Sequence, residues 1–354
     1  MTILRPVREN DLDRLVELAT NAGFGLTTLP RDRELLRKRI LNSENSFRKK
    51  TEEPGPESYL FVLENDERLV IGTCAIVAKV GGYEPFYTYR IEQTEHHSDI
   101  LDVHKSIPVL HLLEEHDGPT EIGSLFLSPE HRNKGLGRFL SLSRFLFIAE
   151  YRELFEDMVI AEMRGKLDSE GNSAFWEALG RHFFDVDLPT ADYLSMKDKR
   201  VIAELMPEHP IYIPLLPENA QDDIGQVHEY TKPALSILQK EGFEFAGMVD
   251  IFEAGPLIGC ATNKLRIVDK STLHPVATKE TMSAEASLYL VSTSPDRRIN
   301  FRAVYTPAKL TEDQILISKA TARTLSVGPG DVLRAVPIKP ESSNPGKPSL
   351  GMHI

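Results

Sequence analysis

Glu121 to Glu150 reads EIGSLFLSPEHRNKGLGRFLSLSRFLFIAE. Ile122, Ser124 and Phe126 alternate with Gly123, Leu125 and Leu127, the period of a β-strand. Pro129, which has no amide hydrogen to give a ladder, ends it. Phe139, Leu142, Leu146 and Ala149 then recur at helix spacing. Between the two lies Arg132-Asn133-Lys134-Gly135-Leu136-Gly137, and strand, glycine loop and helix in this order make a phosphate cradle. Gly135 and Gly137 lack a Cβ, so a ligand can approach the backbone closely. The first N–H groups of the helix have no intrahelical acceptor and lie at the positive end of its dipole. Arg132, Lys134 and Arg138 add positive charge around that point. Ordinary strand-to-helix turns can carry the same glycines, and spacing alone leaves the two readings level.

Composition narrows the classes. A chain of 354 residues, 41% hydrophobic and 27% charged, has room for two or three globular domains with real cores. The formal net charge of −12 argues against DNA or RNA as partner, so an anionic ligand needs a locally basic pocket, which residues 132–138 supply. No apolar run reaches the length of a membrane span and MTILRPVREN has no signal-peptide apolar region, so a cytoplasmic protein is expected. Cys74 in TCAIVA and Cys260 in IGCAT read as buried free thiols. His96, His97, His104, His111 and His116 match neither HExxH nor a Cys/His zinc spacing, so no metal site is expected.

Along the chain, Ile3–Val7 reads as a first strand and Asp11 as the entry to a helix through Leu12, Leu15, Val16 and Leu18. Gly23–Pro30 is a loop, either a connector or a flap over an acceptor site, and residues 31–46 form a charged helix. Tyr59–Glu64 and Leu69–Val80 make an antiparallel pair, and Phe86–Ile91 a further strand in which Arg90 can meet a carboxylate. Met158–Gly165 should lie parallel to the Ile122 strand, because a helix crosses between them. Val159-Ile160-Ala161-Glu162 returns as Val201-Ile202-Ala203-Glu204, and a helix ending in Gly-Phe returns at residues 231–243, suggesting a second half of similar design. Leu265–Val268, Ala286–Val291, Phe301–Tyr305 and Val332–Val336 read as short strands of a β-rich module.

Arg132, Gly135 and Gly137, after a strand and before a helix, resemble the acyl-CoA loop of the GNAT N-acyltransferase superfamily. That resemblance implies an α/β (α+β) fold, a mixed sheet with flanking helices in two tandem GNAT-like halves, followed by the small C-terminal β-rich module. The expected boundaries are 1–198 for the acyl-CoA-binding domain, 199–262 for the second half, 263–340 for the module and 341–354 for a tail. It also implies a bulge in the strand at Leu125, Phe126 and Leu127, beside the thioester.

A narrower resemblance rests on VIAEMRG (159–165), FWEALGRHFF (175–184), IAELMPEHPIY (202–212), IGQVH (224–228) and DIFEAGP (250–256), with Gly25–Pro30 and Leu125–Leu127 in the same order. These are similar to the arginine N-succinyltransferase family. The resemblance implies attack of the α-amine of L-arginine on succinyl-CoA, a co-substrate, with no cofactor held permanently. His228 corresponds to the proton-transfer residue and Leu125 to a succinyl-CoA contact. Histidine exchanges protons near neutrality, as such a step requires. Leu26 and Thr27 are then candidates for the acceptor site, Arg90 and Arg164 for the succinyl carboxylate, and Glu162 for the guanidinium or as a competing base. Ornithine or another basic amino acid is the alternative acceptor, and a silent acyl-CoA-binding regulator the alternative class. The family implies an oligomer, of identical or paralogous subunits.

Overall fold

The computed structural model describes residues 1–21, 29–132 and 135–338. Among them sixteen strands form one sheet. The first part of the chain supplies β1 (Ile3–Pro6), β2 (Ser58–Glu64), β3 (Val70–Val77), β4 (Phe86–Ser98), β5 (Val103–Glu115), β6 (Thr120–Leu127) and β7 (Met158–Glu162). Then come β8 (Ile211–Tyr212), β9 (Glu244–Val249) and β10 (Pro256–Ala261). The C-terminal part supplies β11 (Thr272–Lys279), β12 (Leu288–Thr293), β13 (Ala303–Pro307), β14 (Lys309–Leu310), β15 (Ile315–Ser318) and β16 (Val332–Pro337). Across the sheet the order is β14, β15, β11, β16, β12, β13, β1, β2, β3, β6, β7, β10, β9, β4, β5, β8. Two pairs are parallel, β6 with β7 and β11 with β15.

Helices α1 (Leu12–Asn21) and α2 (Arg33–Arg48) cover one face of the central strands, and α3 (Leu136–Glu150) the other. The split follows strand periodicity: Leu60 and Val62 pack with Leu15 and Leu36, whereas Tyr59, Phe61 and Leu63 pack with α3. Strands covered on both faces need no polar side, which is why β2 and β3 are apolar almost throughout. Asp32 starts α2 by accepting the N–H groups of Glu34 and Leu35. At the chain's start, Asp11 accepts the Arg8 N–H at 2.8 Å, and its carboxylate also pairs with the buried Arg5.

Several expectations change. Leu265–Val268 is not a strand: a helix spans Arg266–Lys270, because the buried Glu241 carboxylate accepts the Ile267 N–H at 3.2 Å and pairs with Arg266, capping a helix start. Val201–Glu204 falls in the helix Arg200–Leu205 whereas Val159–Glu162 is a strand, so the echo is not a structural repeat at this point. Asp198 accepts the Arg200 N–H at 3.0 Å there, and four apolar-rich residues cannot distinguish the two periods. The histidine-rich segment is a long hairpin, β4 and β5 pairing from Phe86↔Glu115 to Ser98↔Val103.

Phe147 of α3 gathers six rings: Phe47, Tyr59, Phe61, Tyr151, Phe155 and Phe301, with centroids 4.9 to 5.9 Å away. It therefore ties α2, β2, α3 and the C-terminal part into one core. Phe147→Ala should lower the unfolding free energy by about 3–5 kcal/mol, the usual cost of emptying an aromatic site, read as a lower urea midpoint.

Candidate active site

β6 stays in register with β7 for two pairs, Thr120↔Val159 and Glu121↔Ile160, and then the strands part. On its other side β6 pairs Gly123 with Ala75 and Phe126 with Thr73, so Ser124 and Leu125 together face Cys74 in a β-bulge. Ser124 takes φ +49°, a left-handed conformation that non-glycine residues adopt at a cost. Side chains from three elements hold it there. Arg39 of α2 donates to the Ser124 hydroxyl at 2.9 Å, Thr73 Oγ1 donates to the Ser124 carbonyl at 2.9 Å, and Arg144 of α3 donates to the Gly123 carbonyl at 3.3 Å.

Beyond the strand, Gly135 sits at φ +78° as the N-cap of α3, a residue with no side chain to cap the helix. A Cβ at Gly135 would meet nothing within 4 Å, so the glycine answers to backbone conformation and the space beside it is open. Arg132 lies against the strand, its Nε donating to the Leu127 carbonyl at 3.0 Å. Among the described residues, the buried Nε of Arg138 has no hydrogen-bond partner. Phe126 and Leu127 are buried in the cores on opposite faces and Leu125 is half-buried, so backbone is the main surface these three can offer a ligand.

Val159, Ala161 and Met163 pack with α3, which turns Ile160, Glu162 and Arg164 to the α2 face. Arg164 pairs with the buried Glu253 at 3.0 Å, and Glu253 also accepts the Gly165 N–H at 3.1 Å. Asp250 accepts N–H groups from Phe252, Glu253 and Gly255 at 2.8, 3.0 and 2.6 Å, closing residues 250–255 into a turn. That turn lies so close to the end of β7 that a Cβ at Gly255 would be 2.0 Å from the Met163 carbonyl. The segment carrying His228 docks on both: Gly225 N–H reaches the Ala254 carbonyl at 2.8 Å, Val227 bridges to Gly165, and His228 N–H reaches the Arg164 carbonyl at 2.9 Å. His228 Nδ1 accepts the Tyr230 N–H at 3.2 Å, so the neutral ring carries its proton on Nε2.

The local charges are mostly acidic. Crowding by protein raises the Glu162 carboxyl well above the usual range, with Glu121 and Asp250 adding repulsion and Lys199 opposing it. Glu162 nonetheless keeps an exposed side chain. Burial raises Glu121 too, against Lys199 and Arg39. It lifts Asp192 to about 6 against Arg164, and Glu253 to about 8 against the same guanidinium. Asp250 rises by burial despite its three N–H donors. His228 is lowered, first by desolvation and then by Arg164. Among the described residues no three carboxylates, imidazoles or thiols are grouped to hold a metal ion.

Residues 2–267 match the profile of the arginine N-succinyltransferase beta subunit, and residues 273–337 that of its C-terminal domain. The chain belongs to the arginine N-succinyltransferase beta subunit family. It is 44% identical to arginine N-succinyltransferase subunit beta of Pseudomonas aeruginosa, over 95% of this chain and 98% of that one. To arginine N-succinyltransferase of Yersinia pestis it is 41% identical, over 95% and 97%. A solved structure, arginine/ornithine succinyltransferase subunit AI from Pseudomonas aeruginosa, superposes with a TM-score of 0.88 at 35% identity, over 96% of this chain and 99% of that one.

Within this family's fold, His228 and Arg164 come together at the end of β7, with Glu162 on the same strand. Arg164, expected to be open to an anion, is paired with Glu253, and Arg90 pairs with Glu92 on its own strand. Glu162, expected for the guanidinium or as a competing base, has no ion pair among the described residues. Leu26, Thr27 and Lys134 lie outside the described residues. Sequence reasoning missed Arg39, Glu121, Asp192 and Asp250. Glu121 and Asp250 appeared only as the first residues of the stretches EIGSLFL and DIFEAGP, with no role read for either. A folded state whose carboxyls hold protons that the unfolded chain releases loses stability as pH rises through that window. Here the window runs from the usual carboxylate range to about 8, with Asp192 at about 6 inside it. Melting temperature should fall over this range, and Asp192→Asn or Glu253→Gln should flatten the slope in thermal melts.

Proposed function

We infer that the chain transfers the succinyl group of succinyl-CoA to the α-amine of L-arginine, with succinyl-CoA as co-substrate and no permanently held cofactor. The observation that carries this reading is the bulge at Ser124–Leu125 where β6 leaves β7, with His228 docked at the end of β7. A strand that leaves its neighbour exposes amide hydrogens, and the Leu125 N–H can stabilise the thioester oxygen as it gains charge. The pyrophosphate of CoA fits the open head of α3 beside Gly135 and Gly137, with Arg132, Lys134 and Arg138 as counter-charges. Much of the rate then comes from holding amine and thioester together.

The reaction forms a C–N bond and breaks the C–S bond. The amine gives up a proton and the departing sulfur takes one. With Nδ1 of His228 accepting the Tyr230 N–H, the neutral ring holds its proton on Nε2, which hands it to the departing sulfur as it takes the one leaving the amine. Glu121, Glu162, Asp192, Asp250 and Glu253, against Arg39, Arg164 and Lys199, favour a cationic acceptor, and Glu162 is a seat for its guanidinium. Arg164 remains a candidate for the succinyl carboxylate, its pairing with Glu253 eased by the burial that raises the Glu253 carboxyl. Leu26 and Thr27 border the acceptor in this reading. Arg90 remains a candidate for the same carboxylate only if it releases Glu92. Relatives named as subunits favour assembly with a second copy or a paralogous subunit, in the cytoplasm.

Thiol release with succinyl-CoA and acetyl-CoA, each crossed with arginine, ornithine and lysine, tests this directly. Succinyl-CoA with arginine should turn over fastest; turnover with acetyl-CoA alone would remove the assignment. His228→Ala should lower kcat by roughly 10² to 10⁴, the usual contribution of a positioned proton-transfer group, while CoA affinity in calorimetry stays unchanged. An acyl-CoA-binding regulator would show no turnover to lose.

A further inference from the structure

We propose that Thr73 is a positioning residue for this reaction: its hydroxyl holds the Ser124 carbonyl so that the Leu125 N–H is aimed into the gap between β6 and β7. This rests on the succinyl-transfer reading and assigns it a buried residue on the neighbouring strand.

The geometry comes from one peptide unit. The Ser124–Leu125 bond is trans, as are all the described bonds, so its C=O and N–H point in opposite directions. The C=O points to β3, where Thr73 Oγ1 donates to it at 2.9 Å. The N–H therefore points away from the Thr73 hydroxyl, and in this proposal that is the side where β7 would lie. β7 has already departed, since its last registered pair with β6 is Glu121↔Ile160.

A side chain is needed because the bulge removes the ladder. Two residues of β6 face Cys74 alone, so the regular exchange of backbone hydrogen bonds skips the Ser124 carbonyl. Thr73 is wholly buried, and without its hydroxyl that carbonyl would lose its donor in a dry interior. The preceding carbonyl receives the same treatment. Arg144, 2% exposed, gives one nitrogen to Gly123 and its others to Ser141 of its own helix, and no carboxylate partners it among the described residues. Two successive carbonyls held by buried side chains leave this backbone little freedom to turn, as a pre-aimed donor requires.

Thr73→Val keeps the shape and deletes the hydroxyl; Thr73→Ser restores it. The readout is the carbonyl stretch of succinyl-CoA carrying ¹³C at the thioester, bound without acceptor, together with kcat and the CoA dissociation constant. In the wild type the stretch should lie below its value in solution. Thr73→Val should lose that shift and about tenfold in kcat, less than the roughly 10²–10³ for removing an oxyanion donor outright. CoA affinity should hold, and Thr73→Ser should recover both losses. A valine variant that keeps shift and kcat, or that loses CoA affinity in step with kcat, overturns the assignment. Should Val not fold, Thr73→Ala is read by the same criteria, and collapse of both makes Thr73 structural and overturns it. A wild type that turns over succinyl-CoA with an unshifted carbonyl removes this inference alone. A wild type that does not bind succinyl-CoA removes the activity, and this inference with it.

Discussion

The separation of β6 from β7 after two registered pairs is the constraint on which the site depends. A strand that leaves its partner exposes backbone groups that must be satisfied some other way. Here the β3-facing side is satisfied by protein, through Thr73 on the Ser124 carbonyl, with Arg144 on the preceding one. On the β7-facing side the last registered pair is Glu121↔Ile160. The left-handed backbone at Ser124 is tolerated because packing on both sheet faces and the Arg39 contact confine it.

Helix α3 connects this site to the remainder of the chain. Its first turn is the open cradle beside Gly135, its middle carries Arg144 under the bulge, and Phe147 anchors it in the aromatic core. Its last residue, Glu150, pairs with Arg334 of β16 at 2.8 Å. The C-terminal strands are thus braced on the same helix that opens the cradle, and they continue the main sheet through β13 against β1.

Electrostatics give the acceptor side its character. Five carboxylates crowd around Arg164, Lys199 and Arg39, and burial raises all five above their usual range. Packing like charges together opposes folding, and the Asp250 turn and the Arg164–Glu253 pair offset part of that cost. A cationic substrate would relieve the rest. Such a site trades stability for recognition.

Local chemistry was legible in the linear chain. Alternation in residues 122–127 and helical spacing from Phe139 onward describe structure within a few residues of each position, and a glycine with positive φ is a property of residue 135 itself. The IGQVH and DIFEAGP segments likewise carried the family in their own letters. Short apolar runs were not legible. Leu265–Val268 became helical because Glu241, distant in sequence, supplied the cap, and Val201–Glu204 because Asp198 did. The acidic surround of Glu162 was invisible for a similar reason: Glu121, Asp192 and Asp250 come from a strand, a helix and a turn that only the folded sheet brings together. Side-chain period reports which face a residue takes, whereas burial and the charge of its neighbours depend on what packs there. The tertiary structure alone therefore decided which carboxylates are crowded together, which arginine is already paired and where β6 leaves β7.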